Sequence, residues 1–253
     1  MYAEERQQHI LDRARAAGRV EVNALAEDLD VTPETVRRDL TILERHGVLR
    51  RVHGGAIPIE RLGFEPGVET RSERYIAEKE RIAKAALAHL PQEGTVLLDA
   101  GTTTLRLAEQ LPRDRELTIV TNSVAIAALV AQHPNLSLYL LGGRVRGRTL
   151  AAVGPWVIQA LQDIFVDVAF IGTNGLSVER GLTTPDQSEA AAKHAMITAA
   201  RRSVVLTDHS KIGVDHFSRF AELSDIAAVI TDDGLDPETA AEIEALGPEV
   251  VLA

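Results

Sequence analysis

The run from Val31 to Gly55, VTPETVRRDLTILERHGVLRRVHGG, admits few folds. Thr32 offers a hydroxyl to cap a helix, Pro33 suits the first helical position, and Glu34 favours the positive end of the helix dipole. Val36, Leu40 and Leu43 recur on one stripe, which leaves Arg38, Thr41 and Arg45 outward and Thr35 and Arg37 on the flanks. Gly47 ends the helix. Val48–Arg51 and Ala56–Ile59 then read as two short strands around His53-Gly54-Gly55. Upstream, residues 4–17 predict a helix with Ile10, Leu11 and Ala14 inward, stopped at Gly18. A second helix carries Val22, Leu25, Ala26 and Leu29 on one face, and Asp30-Val31 is the turn between it and the capped helix. Three short helices followed by a basic hairpin make a winged helix-turn-helix.

Such a unit binds double-stranded DNA through donors that reach base edges and phosphates. Arg37 and Arg38 are placed to read bases in the major groove. The helix N-terminus, with the Thr32 and Thr35 hydroxyls, is placed to hold a phosphate. Arg50, Arg51 and His53 put donors on the wing, whose tip turns at Gly54. The competing reading makes the arginines a solvated face, salt-bridged to Asp39 and Glu44. The whole chain carries a net charge of −10, so contact with a polyanion has to be local to this face.

The 253 residues leave room for a second, larger domain. No cysteine is present, which excludes disulfides, thiol catalysis and cysteine metal sites. The start, MYAEERQQHI, lacks the apolar stretch of a signal peptide, and no apolar run approaches the roughly 20 residues that span a bilayer. A cytoplasmic protein is expected. The histidines show no i, i+4 pairing that suggests zinc, so no metal site is expected.

Residues 1–57 are read as the DNA-binding domain, 58–74 as a linker rich in charge, proline and glycine, and 75–253 as the second domain. In the second domain apolar strands alternate with helices. Strands are expected near Thr95–Asp99, Leu117–Thr121, Leu136–Leu141, Val168–Ile171, Val204–Thr207 and Ala227–Thr231. Helices are expected at Tyr75–Leu90, Thr104–Gln110, Val124–Gln132, Gln187–Arg202 and Pro237–Ala245. That alternation predicts an α/β domain with a parallel sheet covered on both faces, its ligand held beyond the carboxyl ends of the strands.

Polar clusters fall at those ends. Asp99-Ala-Gly101-Thr102-Thr103-Thr104 closes an apolar strand, turns on glycine and opens a helix with three hydroxyls, an arrangement suited to a phosphate monoester. Asn122 in Thr121-Asn122-Ser123, and Gly172 with Thr173, repeat the pattern at two further strand ends. Asp186 leads into a helix bearing Glu189 and Lys193 at i, i+4, the spacing of a surface ion pair. Lys211 follows another strand and can meet a phosphate as a point charge. Gly142–Thr149 nearly spells a phosphate-binding P-loop, but Gly154 and Pro155 follow where its helix should already be running.

The stretch VTPETVRRDLTILERHGVLRRVHGGA resembles the N-terminal signature of the DeoR family of bacterial transcriptional repressors. Matching segments run along the chain: LDAGTTT, TNS, LGG, GTNGL, TTPDQSEAAAKHAM and DHSKIG. The resemblance implies a sugar-phosphate sensor domain similar in fold to ribose-5-phosphate isomerase and glucosamine-6-phosphate deaminase. It implies that Gly101–Thr104 cradle phosphate, that Glu189 and Lys211 lie beside the sugar, and that Gly142 and Gly143 of the LGG segment join the effector contacts. Fructose 1-phosphate is one such effector, by likeness to fructose-operon repressors of the family. The acidic base that the deaminases carry after their second strand has no counterpart in TNSVAIA, so no enzymatic activity is expected. The expected protein is a homodimeric or homotetrameric repressor of a sugar operon, released from operator DNA by a phosphorylated sugar. The alternatives are a sugar-phosphate isomerase or deaminase with an added DNA-binding domain, and a DNA-binding module on a ligand-free scaffold.

Overall fold

The computed structural model describes residues 3–17, 19–52, 54–58 and 67–253, with residues 15, 16, 57 and 58 described by backbone alone. The chain divides into two compact units, Met1–Pro66 and Gly67–Ala253.

In the first unit, α1 (Ala3–Ala17), β1 (Val20–Glu21), α2 (Val22–Asp28) and α3 (Pro33–Arg45) precede the strands β2 (Leu49–Val52) and β3 (Gly55–Pro58). Ile10, Leu11 and Ala14 of α1 meet Leu25 and Ala26 of α2 and Val36, Leu40 and Leu43 of α3 in one apolar core. The helix stripes thus bury the residues that their periodicity selects. Thr32 caps α3, its Oγ1 accepting from the Thr35 N–H at 3.2 Å, and Pro33 takes the first turn. The wing carries three strands rather than two, in the order β1-β3-β2, all antiparallel. β1 is too short to have a sequence signature, but Val20 and Glu21 pair with Ala56 and Gly55 and hold the hairpin to the helices. Val52 pairs with Gly55 at the end of the wing. Gly54 there has φ +77°, a conformation that side chains rarely adopt. His53 lies outside the described residues.

The second unit opens with two helices, α4 (Val68–Ser72) and α5 (Ile76–Ala86), then alternates: β4 (Gly94–Leu98), α6 (Thr102–Glu109), β5 (Leu117–Thr121), α7 (Val124–Val130) and β6 (Leu136–Leu140). The hairpin β7 (Arg144–Arg146) and β8 (Ala151–Val153) follows, then α8 (Pro155–Gln162) and β9 (Val168–Gly172). After β10 (Gly175–Ser177) and β11 (Gly181–Thr184) come α9 (Gln187–Ala199), β12 (Ser203–Leu206), β13 (Ser218–Ala221), β14 (Ala228–Thr231), α10 (Pro237–Glu244) and β15 (Glu249–Leu252). Seven strands form one parallel sheet in the order β15-β14-β12-β9-β4-β5-β6, while β10, β11 and β13 form a small antiparallel sheet.

The alternation of side chains along each strand explains the layers. Val96, Leu98, Val168, Phe170, Val204 and Leu206 enter one core with Ile82 of α5, Leu107 of α6 and Ile126 of α7. Leu97, Ala169, Ile171 and Val205 enter the other, with Val157 of α8, Met196 of α9 and Ile243 of α10. Strands buried on both faces need unbroken apolar runs, which is what these positions show. Among the described residues no helix is long and apolar enough to cross a membrane.

One expectation is corrected and another holds. The segment 58–74 is not a plain linker: α4 lies within it, tied down by the Val68 N–H, which donates to the Arg148 carbonyl at 2.9 Å. Residues 59–66 lie outside the described set. The P-loop-like run holds the strand β7, confirming that no helix starts there.

Candidate functional site

The strand order decides where a ligand can sit. From β4 the chain continues to β5 and β6 on one side, whereas β9, β12, β14 and β15 add on the other. The loops after β4 and β9 therefore part in opposite directions, leaving a crevice at their carboxyl ends. A cleft occupies that place, lined by Gly101–Thr104 after β4, Gly172–Asn174 after β9, Lys211 after β12, Glu189 and Lys193 of α9, and Arg71 of α4.

Gly101 is the residue before α6, and the first N–H groups of that helix, on Thr102, Thr103 and Thr104, precede any intrahelical acceptor. A helix start of this kind favours an anion through its N–H groups and the helix dipole. The three threonines are not equivalent. The Thr104 hydroxyl donates to the Asp99 carbonyl at 2.7 Å and to Gly101 at 3.1 Å, so its proton closes the strand-to-helix turn instead of facing a ligand.

Behind the loop lies a buried charged pair. Lys193 Nζ donates to Asp99 Oδ2 and, at 2.8 Å, to the Gly172 carbonyl. The Gly172 N–H donates to the same carboxylate at 3.0 Å. Burial pushes the Asp99 carboxyl up, against the pull of Lys193 and this N–H. The pair stitches β4, β9 and α9 together, with the Lys193 ammonium also 5.6 Å from the centre of the Phe220 ring. Lys193 thus pairs with Asp99 and not, as the i, i+4 spacing suggests, with Glu189.

Glu189 is held from another direction. Its Oε1 accepts from Arg146 and, at 2.5 Å, from the Thr149 hydroxyl, both contributed by the β7–β8 hairpin. Asp186 caps α9, accepting from the Glu189 N–H at 3.0 Å, and lies 3.4 Å from Arg146 Nε. It stands outside the cleft lining and orients what is inside it. The Thr173 hydroxyl donates to Gly175 at 2.7 Å and to Thr183 at 3.2 Å, anchoring the loop to the small antiparallel sheet.

Lys211 lines the cleft and lies 3.4 Å from Asp208, which is buried. Burial alone would raise the Asp208 carboxyl, but Lys211, Ser210 and Lys79 hold it below the usual carboxylate range. Asp208 therefore aims the lysine without removing it from the cleft.

Other expected effector residues fall elsewhere. Asn122 spends its amide on the backbone: Oδ1 accepts from the Ala100 N–H at 2.9 Å and Nδ2 donates to Ala152 at 3.1 Å. It holds the β4 loop against β8 and does not line the cleft. Gly142 and Gly143 are also absent from the lining. Gly143, at φ +144°, lets the hairpin pass where a Cβ would meet the Val153 carbonyl at 2.9 Å.

Three cleft residues escaped sequence reasoning. Arg71 was hidden in an apparent linker, and its Nε is buried without a hydrogen-bond partner. Lys193 looked like a surface residue. Asn174 sits in the GTNG turn, its Oδ1 accepting from Thr184 at 2.9 Å. The apolar run around Lys193, EAAAKHAM, was the one available signal that this lysine is interior.

On the first unit, Arg37, Arg38, Arg50 and Arg51 are all exposed. The reading that pairs the arginines with Asp39 and Glu44 fails for Arg38. Asp39 is buried and bound by Arg6 Nε at 2.6 Å and Gln7 at 2.9 Å. Glu44 accepts the Arg51 backbone N–H at 2.9 Å. Among the described residues Arg38 has no ion-pair partner. Arg37 meets Glu34 at 3.2 Å, an exposed contact worth little. Arg51 reaches Thr41 on α3 at 3.1 Å, joining wing and helix into one basic face with Gly54 at its tip.

Comparison with known proteins agrees with both units. Residues 6–61 match the profile of the DeoR-like helix-turn-helix domain, and residues 74–233 that of the DeoR C terminal sensor domain. The chain is 37% identical to the HTH-type transcriptional regulator GlpR of Haloferax volcanii, over 99% of this chain and 98% of that one. It is also 37% identical to the lactose phosphotransferase system repressor of Staphylococcus epidermidis, over 90% of each. Among solved structures, ribose 5-phosphate isomerase A of Neisseria gonorrhoeae aligns with a TM-score of 0.41 at 16% identity, over 57% of this chain and 55% of that one. With both domain profiles in their expected order and relatives matching along nearly the whole length, the chain belongs to the DeoR family of helix-turn-helix transcriptional regulators.

Proposed function

We propose that the protein represses a sugar-related operon and that a phosphorylated sugar, bound in the cleft, sets its affinity for operator DNA. The observation that carries this reading is the cleft's charge. Lys211 and Arg71 line it together with the open N-terminus of α6, while the carboxylates nearby are already engaged by Lys193, Arg146 and Thr149. Such a site favours an anion. The name of the lactose phosphotransferase system repressor points to sugar chemistry in a relative. Fructose 1-phosphate is the first candidate among phosphorylated sugars.

The DNA half of the function uses α3 and the wing. One winged helix reads a half-site, so a two-fold operator calls for at least a homodimer. Effector must bind the arrangement with low DNA affinity more tightly, by about 1–3 kcal/mol for a typical coupling. The experiment is a thermal-shift screen of phosphorylated sugars against their free counterparts, followed by operator release measured with the best binder. Stabilisation by a phosphorylated sugar and none by the free sugar is expected. Equal responses to both would refute the phosphate reading.

Arg38→Ala is expected to weaken operator binding by about 1–3 kcal/mol, the worth of a bidentate base contact. Fluorescence anisotropy on a duplex enriched from random DNA by the wild-type protein measures it. Unchanged affinity at matched salt would take α3 out of the major groove.

A further inference from the structure

Arg71 stands in an unusual position. It belongs to α4, the first helix of the second unit and the one that follows the DNA-binding unit in the chain. It also lines the cleft, with its Nε buried and unpartnered. A buried guanidinium nitrogen without an acceptor is costly, and an arriving anion relieves that cost.

The segment around it is held in place from α5. Lys79 of α5 is buried, and its Nζ donates to the Arg71 carbonyl and, at 2.5 Å, to the Arg74 carbonyl. Between α4 and α5, Tyr75 adopts φ +52°, an unusual conformation for a bulky residue, with its ring edge-on to His209 at 5.3 Å. Two carbonyls gripped by one ammonium, and a left-handed Tyr75, fix where α4 ends and α5 begins.

We infer that Arg71 is both an effector ligand and the coupling residue: a bound sugar phosphate takes its guanidinium and thereby repositions α4, the helix adjoining the DNA-binding unit in sequence. This rests on the sugar-phosphate reading above. Lys211 holds the anion from the loop after β12 but sits on no such segment. The two cations therefore divide the work, one for affinity alone and one for affinity and transmission.

The electrostatics of Lys79 provide an independent readout. Its ammonium is lowered to about 8, first by burial and then by Lys211, with Arg71 and Arg106 adding to the effect and Asp208 opposing it. A phosphate dianion brought to Arg71 and Lys211 offsets those cations and raises Lys79 towards its ordinary value. Near pH 8 the free protein holds this lysine partly deprotonated, so binding takes up protons there.

The test compares wild type, Arg71→Met, Arg71→Lys and Lys211→Ala as full chains. The probes are the phosphorylated sugar of largest thermal shift and inorganic phosphate. Calorimetry at pH 8 in two buffers of different ionisation enthalpy gives affinity and proton uptake. Anisotropy gives operator affinity without effector and at saturation. Arg71→Met is expected to bind the sugar phosphate at least 10-fold more weakly and to lose most of the effector's influence on DNA even at saturation. Arg71→Lys should recover part of the affinity. Lys211→Ala should lose affinity yet keep its full response once saturated. Wild-type affinity in Arg71→Met, or full coupling at saturation, overturns the inference. If wild type ignores every phosphorylated sugar yet binds inorganic phosphate through Arg71, the sugar reading falls and the Arg71 contact survives without it. Binding of neither probe overturns both.

Discussion

Asp99→Ala is expected to destabilise the second unit by about 3–5 kcal/mol, the usual cost of stranding one member of a buried ion pair. The reason is that Lys193 loses its carboxylate partner where little water reaches it. Asp99 and Lys193 are both nearly inaccessible, and the Gly172 N–H would lose its acceptor as well. Melting should fall by on the order of 10 °C. The unfolding transition can be followed by far-UV circular dichroism together with fluorescence of Trp156, the sole tryptophan, which lies in the second unit. The double variant Asp99→Leu, Lys193→Met should recover much of the loss, because a buried pair replaced as a whole by apolar groups is close to neutral. An Asp99→Ala protein within 1 kcal/mol of wild type would show that water reaches Lys193 after all, and the pair would then not be the fixed wall of the cleft.

What could be read from the sequence followed from local physics. Capping, stripe periodicity and turn glycines depend on neighbours a few residues away. The Thr32 cap, the core positions Val36, Leu40 and Leu43, and the Gly54 turn accordingly stand where the pattern puts them. The parallel sheet was readable because strands buried on both faces must be apolar throughout. Its order was not, since nothing local in Val168–Ile171 says that this strand lies beside β4 and not at an edge.

The site was legible to the extent that it is made of strand ends. Gly101, Thr102, Thr103, Gly172, Thr173, Glu189 and Lys211 do converge. Asn122 does not, and a sequence gives no means of separating an amide that binds ligand from one that binds backbone. The same limit hides Arg71. Charge, proline and glycine around it read as a linker, and the contacts that hold it, from Lys79 to its carbonyl and from the Val68 N–H to Arg148, have no local signature. Glu189 shows the same limit from another side, since its partners come from a distant hairpin. Arg146 and the Thr149 hydroxyl hold its carboxylate in place, and neither contact follows from the spacing around Glu189.

Lys211→Ala should convert the protein into a super-repressor. A charge-assisted contact to phosphate is typically worth about 1.5–3 kcal/mol, so effector affinity should fall about 10-fold or more. Operator affinity without effector should stay nearly unchanged, since Lys211 belongs to the second unit and far more sugar phosphate would then be needed for release. Removing the lysine also exposes a structural cost, because buried Asp208 loses the partner 3.4 Å away and keeps the Ser210 hydroxyl and the charge of Lys79. The companion variant Asp208→Asn, Lys211→Ala removes that stranded charge. A loss of effector affinity common to both variants belongs to the ammonium, whereas a loss confined to the single variant belongs to the carboxylate it left behind. Linkage adds a second requirement: operator DNA must lower effector affinity by the same factor by which effector lowers operator affinity. Calorimetric titration of effector with and without saturating operator, set beside anisotropy titrations of operator with and without effector, gives both factors. Normal effector affinity in the two lysine variants would remove Lys211 from the site, and unequal factors in wild type would mean that the sugar phosphate acts somewhere other than on the equilibrium between DNA-bound and free protein.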